Sequence, residues 1–269
     1  MLDQFEVKRL ENLAALNRKK IIDMIYYGKS GHPGGSLSII DILTYIYEKL
    51  VNLNSVDRDR VVLSKGHATP ALYAVLNHLG YITDDELYTY RKINSRLQGH
   101  PVSTIVAEID ATTGLLGQGL SLGVGMALGK KLKNDNHKVY VILGDGELHE
   151  GQVWEALMEG AHYKLDNLIA IIDYNKLSSS KNVNEAMNLS PLNKKLESFG
   201  WNVIEIDGHS FDEIAEAFER AMNTFNKPTA IIANTVKGKG ISFMENNPQW
   251  HSKALSDKEY EVAITELGL

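Results

Sequence analysis

The residue types best suited to metal chemistry in this sequence follow two neighbouring strand-like segments. Gly144-Asp145-Gly146 comes directly after the apolar run VYVIL, and Asn175 closely follows the apolar run LIAIID. Glycines let the backbone turn sharply and approach a ligand closely. Carboxylate and amide oxygens are hard ligands of the kind that magnesium takes together with phosphates and water. The two segments together suggest a divalent-cation site, although Gly-Asp-Gly alone is more typical of an ordinary turn.

A second group of residues that could do chemistry consists of histidines in glycine-containing loops. His32, His67 and His100 each follow a glycine, and His251 follows Trp250. Histidine titrates near neutrality, so it can exchange protons or donate hydrogen bonds to phosphate. A lone loop histidine is usually just solvated, and four histidines could also bind zinc. The sequence has no cysteine and no HxxH or HExxH spacing, which argues against a zinc centre.

Helix-like and strand-like segments alternate along the chain and would position these residues. Apolar runs that indicate buried parallel strands lie at 61–64, 139–143, 168–173, 202–206 and 229–234. Helical spacing covers roughly 5–26, 38–50, 69–79, 84–92, 117–133, 152–163, 191–198 and 211–225. This alternation predicts an α/β fold with a doubly wound, mostly parallel sheet, in a single domain over residues 1–269. Ligands bind such sheets beyond the carboxyl ends of the strands, where SKGHATP, GDGELHEG and DYNKLSSS lie.

Composition and charge narrow the class of protein. The chain has 269 residues and a formal net charge of -6, which argues against nucleic acid as the main partner. The absence of cysteine excludes disulfides, iron–sulfur clusters and cysteine nucleophiles. The N-terminus lacks the continuous apolar region of a secretory signal, and no stretch approaches the roughly 18 apolar residues of a membrane span. These features predict a soluble cytoplasmic protein with no membrane partner.

Taken together, the motifs resemble transketolase. The similar segments occur in transketolase order from about residue 28 to residue 252 and comprise SGHPGGSLS, SKGHATPALYAVL, QGHP, TTGLLGQGLSLGVGMALG, the segment from Gly144 to Asn175, and KGKGISFMENNPQWH. Gly-Asp-Gly followed about thirty residues later by asparagine also resembles the magnesium motif of thiamine diphosphate enzymes in general. The resemblance implies the thiamine diphosphate-binding fold, here its diphosphate-binding module. The implied cofactors are thiamine diphosphate and Mg²⁺, or another divalent cation such as Ca²⁺ or Mn²⁺.

The resemblance also implies roles for individual residues. The cation ligands would be Asp145, Asn175 and the backbone carbonyl of Leu177, and the backbone N–H of Gly146 would meet the diphosphate. The full set implied to bind the cofactor is His67, Gly114, Leu115, Leu116, Asp145, Gly146, Asn175 and His251. Many family members have proline where this chain has Leu115.

The catalytic residues implied by the same resemblance are His32, His100, His251 and Glu150. The three histidines would meet the sugar and move protons. Glu150 would link two cofactor sites across a dimer interface, and the dipole at a helix N-terminus would also favour a carboxylate there. Lys237 and Lys239 either cover the diphosphate or lie on a solvated hinge, and neither is assigned a catalytic role.

The implied reaction is transfer of a two-carbon ketol unit from a ketose phosphate to an aldose phosphate, as in the pentose phosphate pathway. Transketolases have a further domain that binds the aminopyrimidine ring of thiamine diphosphate and supplies the glutamate that activates this cofactor. Only one helix-like segment, SDKEYEVAITELGL, follows the last motif. We therefore expect a separate, pyrimidine-binding C-terminal transketolase subunit as partner. Two copies of this chain would associate with two copies of that subunit to form an α2β2 heterotetramer. The assembly would act on sugar phosphates.

Two other functions remain open. One is a subunit of another split thiamine enzyme, such as a deoxyxylulose-phosphate synthase, an oxo-acid dehydrogenase E1 α-subunit or a specialised ketol transferase. SLS after GHPGG is similar to the synthase, whereas KGKGISFMENNPQWH and SKGHATP favour transketolase. The other is a non-catalytic cofactor-binding half, against which the intact Asp145, Asn175 and four histidines argue. The sequence does not identify the donor and acceptor sugars.

Overall fold

The computed structural model describes residues 2–179 and 181–268, and its centre is a five-stranded parallel sheet. The strands are β1 (Arg60–Leu63), β2 (Val139–Gly144), β3 (Leu168–Tyr174), β4 (Asn202–Asp207) and β5 (Thr229–Asn234). Their spatial order is β1-β2-β3-β5-β4, and all four neighbouring pairs are parallel. The α/β fold with a doubly wound parallel sheet is therefore confirmed.

Helices cover both faces of the sheet. They are α1 (Gln4–Tyr27), α2 (Pro33–Lys49), α3 (Thr69–His78), α4 (Asp84–Leu87), α5 (Gln118–Leu132), α6 (Gly151–His162), α7 (Val183–Ala186), α8 (Leu192–Ser198), α9 (Phe211–Met222) and α10 (Asp257–Glu266). Short 3₁₀ turns lie at Gly66–Ala68, Gly146–His149 and Pro248–His251. Among residues 2–179 and 181–268, none of the helices has both the length and the apolar character needed to cross a bilayer.

Two apolar layers form because successive side chains of each strand point to opposite faces. In β3, Ile169 and Ile171 pack in the layer that contains α1, α2, α3 and α9. Leu168, Ala170 and Ile172 of the same strand pack in the layer that contains α5, α6 and α8. The three central strands β2, β3 and β5 are covered on both faces and are therefore almost continuously apolar, and this is why their positions were visible in the sequence.

Two predicted helices differ from the structure. The helix predicted over 84–92 is a single turn, α4, followed by a loop in which Arg91 and Asn94 have left-handed φ angles of 59° and 66°. Beyond Leu87 the backbone forms i→i+3 turns, in which the N–H of Thr89 donates to Glu86 and that of Tyr90 to Leu87, and the left-handed Arg91 then prevents a helix from reaching residue 92. The helix predicted from residue 38 begins at Pro33, because proline suits the first helical position and burial of the segment outweighs the low helix propensity of Gly34 and Gly35.

Candidate functional site

A cavity of about 220 Å³ lies beyond the carboxyl ends of β2 and β3, between the loops that follow four of the strands. Its lining residues are Gly35, Lys65, His67, Leu116, Gly144, Asp145, Gly146, Glu147, Asn175, Leu177, Ser178, Ser179, Lys237 and His251. The position agrees with the general rule for ligand sites in doubly wound sheets. The predicted cation ligands and two of the predicted histidines therefore share one cavity.

Asp145 and Asn175 accept hydrogen bonds from backbone N–H groups of the two loops that carry them. Asp145 is buried, and its two carboxylate oxygens accept hydrogen bonds from the N–H groups of Gly146 at 2.7 Å and Lys176 at 2.5 Å. Asn175 Oδ1 accepts from the Leu177 N–H at 3.1 Å. Burial, followed by the charge of the nearby β3 carboxylate, raises the pKa of Asp145 to about 7. A cation would relieve both effects, so the carboxylate, the amide and the Leu177 carbonyl form a set of oxygen donors that fits a hard divalent ion.

A buried ion pair beneath the cavity was missed in the sequence. Lys65 Nζ bonds to the carboxylate of Asp173 and, at 2.8 Å, to the carbonyl of Gly35. Asp173 also accepts from the Ser38 hydroxyl at 2.6 Å and from Asn175 Nδ2 at 3.2 Å. Burial alone would raise the pKa of Asp173, but Lys65 outweighs it and the pKa lies below its usual value. A charged residue ending an otherwise apolar strand was the available signal.

Glu147 is a second buried carboxylate that sequence reasoning overlooked. It bonds to the hydroxyl of Ser64 and accepts from the N–H groups of Gly117 at 2.9 Å and Gly144 at 3.0 Å. Ser64 directly follows β1, Gly144 is the last residue of β2 and Gly117 is the N-cap of α5, so Glu147 connects three separate segments of the chain. Burial raises the pKa of its carboxyl group.

The two lysines of KGKG have different environments. Lys237 is only 2% exposed, and its ammonium donates to the carbonyls of Leu177 at 2.9 Å and Ser178 at 3.0 Å and to His251 Nδ1 at 3.0 Å. Burial lowers the pKa of Lys237 to about 8. Lys239 is partly exposed, and its ammonium lies 3.7 Å from Glu245. Lys237 is thus part of the cavity wall, whereas Lys239 lies on the exposed side of the loop.

Three of the predicted histidines form a compact cluster. The ring centroids of His32, His67 and His251 are 5.2 to 5.5 Å apart. Burial, followed by nearby positive charges, lowers the pKa of His32 to about 4 and that of His251 to about 3, and holds the pKa of His67 well below its usual value. All three rings are therefore neutral near pH 7. Within the described part of the chain, no set of three or more His, Cys, Asp or Glu side chains is arranged to hold a metal.

Other predicted residues lie outside the cavity lining. The ring of His100 is exposed and packs against Gly114, where an added Cβ would lie 3.1 Å from the imidazole. Leu116 lines the cavity, but Leu115 is 76% exposed. The structure therefore places His67, Leu116, Asp145, Gly146, Asn175, Leu177 and His251 in the lining, sets His32 beside it, and leaves His100, Gly114, Leu115 and Glu150 outside it.

Glu150 is exposed at the N-cap of α6, but its side chain makes no capping hydrogen bond. Its Cβ and Cγ pack against Gly117, where an added Cβ would lie 2.8 Å from the Glu150 Cβ. Exposed apolar side chains occur on the adjacent segments, with Leu115 at 76%, Leu122 at 42% and Met158 at 57% exposure. Helix capping does not account for the position of this carboxylate.

The chain is similar to known proteins over nearly its whole length. Residues 10–269 match the family described as transketolase, thiamine diphosphate binding domain. The chain is 40% identical to an apulose-4-phosphate transketolase subunit from Phocaeicola vulgatus, covering 98% of this chain and 95% of that protein. It is 42% identical to a 6-deoxy-6-sulfo-D-fructose transketolase subunit from Clostridium sp., covering 96% of each.

Full-length transketolases match equally well over part of their length. Transketolase from Homo sapiens is 42% identical to the chain, with 98% of this chain and 43% of that protein covered. The structure of transketolase from Campylobacter jejuni superposes with a TM-score of 0.91 at 34% identity, covering 98% of this chain and 43% of that chain. The chain thus spans less than half the length of these enzymes. It spans nearly all of the two relatives that are named as transketolase subunits. On its fold, its cavity and these similarities, the chain belongs to the transketolase family and matches that family's thiamine diphosphate binding domain.

Proposed function

We propose that this chain is the cofactor-carrying N-terminal subunit of a two-subunit transketolase, folded as one diphosphate-binding domain and active in the cytoplasm. The observation that carries the proposal is the cavity itself. It combines oxygen donors suited to a hard cation with neutral histidines and a buried lysine. Such a site can hold a magnesium-bound diphosphate on one side and exchange protons with a polyhydroxy substrate on the other.

Asp145, Asn175 and the Leu177 carbonyl would hold the cation, with Mg²⁺ favoured over Ca²⁺ or Mn²⁺. The N–H of Gly146 and the ring of His67 are proposed to meet the diphosphate oxygens, and Leu116 is proposed to contact the cofactor within the cavity. Bound thiamine diphosphate would supply an electron sink for breaking and forming the carbon–carbon bond. The protein's own contribution is to orient that group and to keep the nearby proton carriers neutral.

His251 is the best-defined proton carrier. Because the Lys237 ammonium donates to His251 Nδ1, the proton of the neutral ring is placed on Nε2. His32 has a buried Nδ1 without a hydrogen-bond partner among the described residues, so its ring can still accept a donor. We propose that these two rings and His100 contact the sugar hydroxyls and move protons during ketol transfer.

A second subunit is proposed to complete the site. Two relatives that the chain matches over nearly their whole length are themselves named as transketolase subunits. Leu115 and Glu150 are exposed next to the cavity loops, where a partner would cover them. We propose that a pyrimidine-binding C-terminal subunit provides that cover and that two copies of each chain assemble as α2β2, with Glu150 at the contact between copies. Obligate interfaces of this kind are large and apolar.

The proposed substrates are a ketose phosphate donor and an aldose phosphate acceptor, as in the pentose phosphate pathway. A modified sugar is a second candidate, because the two subunit relatives are named for apulose 4-phosphate and 6-deoxy-6-sulfo-D-fructose. The test is a donor panel given to the chain mixed with its C-terminal subunit, thiamine diphosphate and Mg²⁺. Turnover with a ketose donor and an aldose acceptor supports the proposal. Turnover with pyruvate as the donor, and none with any ketose, would instead assign the chain to a deoxyxylulose-phosphate synthase.

A further inference from the structure

A buried charged network lies behind the loop that carries Lys237. Arg18 forms a bidentate ion pair with Asp41, in which Nη1 lies 3.0 Å from Oδ1 and Nη2 lies 2.5 Å from Oδ2. His209 Nδ1 lies 2.7 Å from the same Asp41 carboxylate. Arg18 and Asp41 are 8% and 4% exposed, so the network is largely shielded from water. It joins helices α1 and α2 to the loop after β4, and none of its members lines the cavity.

The network forms hydrogen bonds to the Lys237 loop at two points. The N–H of Val236 donates to His209 Nε2 at 2.9 Å, and Arg18 Nε donates to the carbonyl of Lys239 at 3.1 Å. These two contacts bracket Lys237 and Gly238. Gly238 has a left-handed φ of 80°, so this short loop is sharply turned where the network holds it. The backbone on either side of Lys237 is therefore fixed from behind.

The hydrogen bonds also define the tautomer of the His209 ring. Because Nε2 accepts from a backbone N–H, the ring proton must lie on Nδ1, where it points to Asp41. Burial alone would raise the pKa of Asp41, but Arg18 and His209 together bring it below its usual value, so the carboxylate stays ionised. Asp41 thus orients the histidine ring, and the ring orients the loop.

Lys237 in turn contacts two groups of the proposed site. Its ammonium donates to the Leu177 carbonyl, a proposed cation ligand, and to His251 Nδ1, whose ring is a proposed proton carrier. The Gly34 backbone packs directly beside it, since an added Cβ there would lie 2.9 Å from Lys237 Cγ. A shift of the loop would move the ammonium away from both acceptors.

We propose that His209, oriented by Asp41 and Arg18, is a positioning residue that sets the Lys237 ammonium against the cation- and diphosphate-binding side of the cavity. This inference rests on the proposed function. His209 acts through Lys237 and touches neither the cofactor nor the substrate. Loss of its Nε2 acceptor removes the partner of the partly buried Val236 N–H and frees the loop.

The test is calorimetric titration of thiamine diphosphate with Mg²⁺ into the chain assembled with its C-terminal subunit. His209→Ala should weaken cofactor binding by about 10-fold, the scale of one lost hydrogen bond in a partly buried position. Turnover at saturating cofactor should fall much less. His137→Ala is the matched control, because His137 also pairs with an aspartate, Asp135, but precedes β2 and so lies at the amino ends of the parallel strands, away from the cavity. It should leave binding unchanged.

A double-mutant cycle separates positioning from general destabilisation. If His209 acts through Lys237, then adding His209→Ala to Lys237→Met should weaken binding no further. Independent effects that multiply would overturn the inference. His209→Gln, which can offer an acceptor near the Nε2 position, should retain more affinity than His209→Asn, and the reverse order would also overturn it. These two variants keep the test valid where alanine prevents folding. Failure of the wild-type complex to bind the cofactor would instead reject the proposed function.

Discussion

Asp173→Asn removes one charge from the buried Lys65–Asp173 pair without changing the size of the side chain. Both residues are almost inaccessible to water, at 1% and 0% exposure. The variant would leave the Lys65 ammonium uncompensated in the interior, which typically costs about 3–5 kcal/mol. For a chain of this size, each kcal/mol lowers Tm by about 2–4 °C, so the expected fall is roughly 6–20 °C. Because the pKa of Asp173 is lowered in the fold, this stabilisation is present at neutral pH and is lost as the pH falls through the lowered value.

The assay is thermal unfolding of the chain without cofactor, so that effects on ligand binding do not enter. Lys194→Met is the control, since the Lys194–Glu197 pair is exposed and its loss should leave Tm unchanged. The double variant Lys65→Met with Asp173→Asn should recover part of the loss, because neither charge is then left alone. An Asp173→Asn variant as stable as the control, or a double variant whose losses add, would show that the buried pair does not stabilise the fold in this way.

The remaining predictions concern the site and the packing of α5. Asp145→Ala should abolish Mg²⁺-dependent binding of thiamine diphosphate while leaving the circular dichroism spectrum unchanged, and unchanged affinity by calorimetry would contradict its role as the anionic ligand. His100→Ala should slow turnover of the assembled enzyme by about 10²-fold with little change in cofactor affinity. His67→Ala should mainly weaken cofactor binding, and an equal binding defect in both variants with normal turnover at saturation would reject this division of roles. Gly123→Ala would force a Cβ into a β2 side chain and should cost about 1–3 kcal/mol in chemical denaturation. Gly129→Ala in the same helix has nothing within 4 Å and should stabilise slightly, so equal effects would contradict the packing.

Much of the fold could be predicted because the sheet is covered on both faces. Its strands are short apolar runs that stand out from the amphipathic helices around them, and the five predicted strands match the five observed. The helix predicted over 84–92 was too long because neither the turns that follow Leu87 nor the left-handed Arg91 is visible in apolar spacing. The start of α2 was missed because Gly34 and Gly35 are poor helix formers whose position is fixed by packing.

The candidate site was predicted only in part. Asp145 and Asn175 could be recognised because each follows an apolar strand with a loop motif. Lys65 and Asp173 are 108 residues apart in the chain, and their pairing depends on how β1, β2 and β3 lie side by side. The environment of Lys237 likewise depends on loops far away in sequence. Local spacing could therefore indicate the metal motif but not the buried charges that support it.

We propose above that this chain carries the cofactor of a transketolase whose other half is a separate subunit. The most direct test is ketol transfer measured with a ketose phosphate donor and an aldose phosphate acceptor, while the C-terminal subunit is titrated into a fixed amount of this chain. With saturating thiamine diphosphate and Mg²⁺, we expect no turnover by the chain alone and a rise in turnover that saturates at one partner per chain. Robust turnover by the chain alone would contradict it.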